Sequence, residues 1–106
     1  MANTYVNAKV DLTATSVTTL YTCAALTTGI VKSILVSEDS GNADTITVTI
    51  TNGSTVYSLF NVKAVGANAT VELLTAPLVV QPTEVLKVTA ATANRLHVVA
   101  SILEIT

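Results

Sequence analysis

His97 and Cys23 are the only histidine and the only cysteine in the 106 residues. Nucleophilic or metal chemistry would draw on them first. A hydrolase would need His97 beside a nucleophile such as Cys23 or a serine, with an acid to orient the ring. His97 instead falls between Leu96 and Val98 in an alternating run, and neither residue carries a nucleophile-elbow or Cys/His signature. A surface or interface histidine and a small buried thiol are expected. The tract Glu38-Asp39-Ser40-Gly41-Asn42-Ala43-Asp44 holds three of the seven acidic residues. Such oxygens suit calcium, but the spacing is not that of an EF-hand and no closing bidentate glutamate follows. A solvated turn is the expectation. Gly29, Gly41, Gly53 and Gly66 lie too far apart to cradle a phosphate. Tyr5, Tyr21, Tyr57 and Phe60 would make a sugar-stacking platform only if three shared a face, and core or rim packing is expected of them. Asn52-Gly53-Ser54 and Asn68-Ala69-Thr70 match the N-glycosylation sequon, yet read better as turns without a signal peptide. No enzyme, cofactor or metal is expected.

Composition narrows the classes further. Charged residues make up 11% of the chain and hydrophobic ones 50%, against about 25% charge in an ordinary soluble domain. Lys9, Lys32, Lys63, Lys87 and Arg95 are scattered singly within a net charge of −2, so no basic stripe faces a row of phosphates and nucleic acid is not an expected partner. No apolar run is long enough for a helical membrane span. The opening Met-Ala-Asn-Thr lacks a signal-peptide pattern, and synthesis in a cytoplasm is expected. Forty-one of the 106 residues are Thr, Val or Ile, stiff side chains that suit a pleated surface.

Those residues must be positioned by strands. Ile46, Val48 and Ile50 alternate with Thr45, Thr47, Thr49 and Thr51, and Asn52-Gly53 then signals a type I′ hairpin into a strand over 55–62. That return strand is expected to place Val56, Ser58, Phe60 and Val62 on one face. Strands are also expected over 5–12, over 17–23 (Thr-rich and of ambiguous facing), over 30–37, at Val71 with Leu73, at Leu86 with Val88, and over 95–105; Pro77 and Pro82 confine Leu78-Val79-Val80 to an edge or a short piece. The chain therefore reads as one all-β domain, an antiparallel sandwich of about eight short strands with jelly-roll-like or immunoglobulin-like connections. Two strands look apolar on both faces. Ile30, Ile34 and Val36 lie opposite Val31 and Leu35, and Leu96, Val98, Ala100 and Ile102 lie opposite Val99, Leu103 and Ile105. A strand apolar on both faces is covered on both. Val31, Leu35, Val99 and Leu103 are the residues expected at a subunit or shell contact.

The run Ile30-Val31-Lys32-Ser33-Ile34-Leu35-Val36, the polar turn and Thr/Val hairpin after it, Pro77-Leu78-Val79-Val80-Gln81-Pro82-Thr83-Glu84, and the closing Val85-Leu86-Lys87-Val88-Thr89 and Leu96–Ile105 strands together resemble small virion structural proteins of tailed bacteriophages. The resemblance spans roughly residues 20–106, and Pro82-Thr83-Glu84 stands where the family's turn carries Gly-Asp. It implies a non-enzymatic β-sandwich on the particle that decorates or cements the capsid, with the major capsid protein as partner and the capsid surface as location; a homotrimer is the expected oligomer, because closed three-fold symmetry would match three-fold positions of a shell. A neck- or tail-associated structural or glycan-binding module is the alternative.

Overall fold

A computed structural model describes residues 2–106. Nine strands run in the order β1 (Asn3–Asp11), β2 (Thr18–Thr22), β3 (Thr28–Glu38), β4 (Asp44–Asn52), β5 (Thr55–Val65), β6 (Thr70–Glu72), β7 (Leu78–Val80), β8 (Val85–Ala90) and β9 (Leu96–Ile105). They form two antiparallel sheets. One has the order β1-β9-β3-β6, with β7 also on β3; the other has β2-β8-β4-β5. Strands β6 and β7 both pair with the same side of the sheet through β3, so they act as one edge strand interrupted between Glu72 and Leu78. Counted as one, the orders become 1-8-3-6 and 2-7-4-5, the connectivity of a jelly roll. Nine strands stand where about eight were expected, and strand order resolves the choice of connections that periodicity left open.

Valine, isoleucine and leucine fill the space between the sheets. Val31, Ile34, Val36, Val98, Ala100 and Ile102 project from the five-stranded sheet onto Ile46, Val48, Leu86, Val88 and Ala90 of the other, all of them buried. The seam contains one polar bridge. Tyr21 Oη on β2 donates to Glu104 Oε2 on β9 across the sandwich at 2.6 Å. Burial, and then that hydrogen bond, push the Tyr21 phenol well above its ordinary pKa, so it stays a donor. Gly29 lies opposite Glu104 on β3. A Cβ there would stand 3.0 Å from Tyr21 Oη and 3.1 Å from its ring, so the absence of a side chain is what lets the tyrosine cross.

Two local details differ from the sequence expectation. In the β4–β5 hairpin Asn52 pairs with Thr55, which makes Gly53-Ser54 the turn rather than Asn52-Gly53. Only Gly53 of that pair takes a positive φ, +62°, the pattern of a type II′ turn; type I′ would need both. Strand β5 does not keep its alternation. Register shifts against β4 bring the neighbours Leu59 and Phe60 together against the core and leave Val56 and Val62 exposed. Val62 sits in this irregularity at φ +52°, a strained value for a β-branched residue, and its N–H donates to Thr47 Oγ1 at 3.1 Å.

Candidate functional site

The residues expected to carry chemistry do not meet. Cys23 is buried next to β7, its thiol donating to the carbonyl oxygens of Thr27 (3.1 Å) and Val80 (3.4 Å). His97 pairs across the sheet with Ser37, near the other end of β3. The ten steps from Thr27 to Ser37 span roughly 30 Å, so the thiol and the imidazole occupy opposite ends of the sandwich. Asp11, His97 and Ser37 do form a cross-strand row. However, His97 Nε2 faces Asp11 Oδ1 at 3.2 Å and Nδ1 faces Asp39 Oδ2 at 3.6 Å. With both ring nitrogens turned to carboxylates, neither is aimed at the Ser37 hydroxyl.

The acidic tract is a set of anchors. Glu38 is buried at the end of β3 and accepts from the Ser40 N–H (2.7 Å), the Ser40 hydroxyl, the Gly41 N–H (3.1 Å) and the Asn68 N–H (3.0 Å). Burial alone would raise its pKa, but these donors outweigh burial and bring the carboxyl down to about 2. Asp44, also buried, accepts from the Thr92 N–H at 3.0 Å. The Glu38 carboxylate therefore ties the β3–β4 loop to the β5–β6 turn, and its oxygens face donors rather than an empty cage. Among the described residues no group of three or more His, Cys, Asp or Glu side chains is placed to hold a metal ion. The aromatic side chains are dispersed: Tyr5 lies on the outer face of the five-stranded sheet, Tyr21 between the sheets, and Tyr57 and Phe60 on β5. Both sequons lie at turns, Asn52 closing β4 and Asn68 preceding β6 with φ +56°.

What remains is a surface. Antiparallel register sets the outward residues of the five-stranded sheet in straight cross-strand rows: Tyr5–Leu103–Ile30–Val79, then Asn7–Ser101–Ser33, then Lys9–Val99–Leu35–Glu72, then Asp11–His97–Ser37–Thr70. The first row is apolar over four strands, with Tyr5 76% and Val79 51% exposed. In the third row Leu35 is 40% and Val99 39% exposed. Small polar residues separate the two apolar rows. The other sheet turns outward a different surface, in which Thr45, Thr47, Thr49, Thr51, Lys87 and Thr89 predominate.

Three of the four residues expected at a contact, Leu35, Val99 and Leu103, are on this apolar face. Val31 is not. It has no exposed surface and pairs with the core residue Ile102. Unbroken alternation would put Val31 and Leu35 on one side, but the register of β3 against β9 shifts between Val31 and Ser33. The extra residue turns the strand over, so Val31 points inward and Ile30 and Leu35 outward. Tyr5, Ile30 and Val79 are the face residues that sequence reasoning missed, because each joins the surface only through cross-strand register. No protein-family model matches the chain, and no curated protein matches it.

Proposed function

We propose that the protein is a non-enzymatic structural component of a tailed-phage particle that decorates and stabilises the capsid shell, with the outer face of the five-stranded sheet as a subunit or shell contact. The observation that carries this reading is the pair of apolar rows, Tyr5–Leu103–Ile30–Val79 and Val99–Leu35, left uncovered on a chain with little charge. The resemblance of the strand sequences to virion proteins supplies the location. Jelly rolls serve in viral shells and in lectins alike, so the fold is compatible with this role without assigning it. Contacts made by such rows depend on burial of apolar area rather than on ion pairs, and salt screens them little.

The test uses particles grown from the genome that encodes the chain. The protein should be present in many copies per particle, gold-labelled antibody should spread over the shell, and washing from about 0.1 M to about 1 M salt, where the screening length falls from about 10 Å to about 3 Å, should leave it bound. Absence from purified particles, label confined to the neck or tail, or release by salt would overturn the reading.

A further inference from the structure

The outer face of the five-stranded sheet has unlike ends. Its third row begins with Lys9 on the edge strand β1, passes through Val99 and Leu35, and ends with Glu72 on the edge strand β6. Glu72 accepts from the Ser33 hydroxyl and from the N–H groups of Ile34 (2.9 Å) and Leu74 (3.2 Å). Burial opposes ionisation, but these donors hold its pKa below the ordinary carboxylate value. Among the described residues no cation pairs with it, and the Lys9 ammonium donates only to Asn7 Oδ1 at 3.1 Å. A carboxylate and an ammonium thus stand unpaired at opposite ends of one apolar row.

We propose that the occupant of this face is a second copy of the chain, packed face to face about a two-fold axis that runs parallel to the strands between β9 and β3. That operation reverses each row upon itself. Lys9 meets Glu72 of the second copy at both ends, Val99 meets Leu35, Leu103 meets Ile30, and Tyr5 meets Val79. Lys32, which the bulge drops from the ladder, lines an outer pocket with Tyr5, Asn7 and Ser101 of its own chain, so across the axis it faces the side of the second copy that carries Ser33 and Glu72. Charge selects this arrangement over the two-fold that also keeps the strands aligned but whose axis crosses them at the polar row. In that case Glu72 would be pressed against Val79, a buried carboxylate without a cation. An isologous contact makes each complementary pair twice.

The area is sufficient. The ten residues of β9 at about 3.4 Å each, by four strands about 4.8 Å apart, give a face of about 600 Å². Two copies would bury about 1,200 Å², within the range of specific interfaces and above that of casual contacts. The pairing is two-fold and stands in place of the three-fold oligomer expected from shell symmetry. It takes from the proposed function only that this face is a contact, and assigns that contact to the subunit pair rather than to the shell.

The test is the native mass of the full chain at about 50 µM, with zero-length carbodiimide cross-linking read by peptide mass spectrometry. The expected species has twice the monomer mass of 10.9 kDa, with Lys9 joined to Glu72 between copies. Val99→Asp should weaken the dimer about a hundredfold or more by facing carboxylate to leucine twice over, and Lys9→Glu should do the same by like-charge contact at both ends. Lys9 is exposed on an edge strand, so its variant serves even if Val99→Asp fails to fold. A monomer at that concentration, a trimer, a dimer indifferent to Lys9→Glu, or cross-links through other residues would overturn the proposal. The two readings fail separately: a monomeric chain found on the shell removes the pairing alone, and a dimer absent from particles removes the virion role alone.

Discussion

Val31→Asp is expected to abolish folding, whereas Leu35→Asp on the same strand should leave a cooperatively folded domain. Val31 has no exposed surface and packs beside Ile34, Ile102 and the facing sheet, while Leu35 is 40% exposed on the outer face. A carboxyl at position 31 meets no donor that the structure places there. Losing the valine's burial costs about 1.5–3 kcal/mol, and an unpaired carboxyl in a dry core adds several more even after it takes up a proton. A domain of this size has a stability of about 5–15 kcal/mol in total. At position 35 the carboxylate reaches solvent in the isolated chain, and the expected change is below about 1 kcal/mol. Far-ultraviolet circular dichroism with urea unfolding separates the two. A Val31→Asp protein that melts cooperatively near the parent would show that the bulge at Lys32 lies elsewhere and that β3 presents its other face to the core.

The second large effect concerns acid. Glu38 has its carboxyl lowered to about 2 from an ordinary 4.5. For a depressed carboxyl the native state binds the proton less readily than the unfolded chain. Its contribution is therefore complete above about pH 4.5, shrinks as pH falls, and is gone below about 2. Urea midpoints measured from pH 6 down to pH 2 should fall steadily through that window. Glu38→Gln should lower the midpoint at neutral pH, because one amide oxygen cannot serve all the donors from Ser40, Gly41 and Asn68, and its NH₂ is turned against N–H groups. The same change should flatten the acid limb, leaving the smaller slope due to Glu72, whose pKa is also lowered. A variant with the parent's acid limb would mean that Glu38 does not anchor the two loops.

How much of this was legible before the fold was known differs from element to element. The all-β class, the single sandwich and the inward set Leu96, Val98, Ala100 and Ile102 of β9 follow from a period of two that the chain keeps unbroken there. Strand β3 shows the limit of the same argument. Its alternation carries across the bulge at Lys32 in the sequence but not in space, because a residue that drops out of the ladder leaves no mark in hydropathy. That is why Val31 read as surface and Ile30 as core. Strand β5 failed likewise, where its register against β4 shifts twice. Glu38 looked like one acid of a solvated turn. Its anchoring role depends on Asn68, thirty residues away, and no local spacing encodes that donor. The outer apolar face was half legible: Leu35, Val99 and Leu103 stand out as apolar residues on two already apolar strands, but Tyr5 and Val79 belong to it only because β1 and β7 flank β9 and β3 in this register.

Of the outer face proposed as the contact surface, Tyr5 is the most exposed apolar residue, at 76% against 54% for Tyr57 on the other sheet. Hydroxyl-radical footprinting of the two tyrosines, from dilute chain to the assembled state, compares that face with an internal control. If that face is the contact, Tyr5 should lose most of its reactivity on assembly while Tyr57 keeps its own. Tyr5 remaining as reactive as before, or Tyr57 becoming protected in its place, would contradict it.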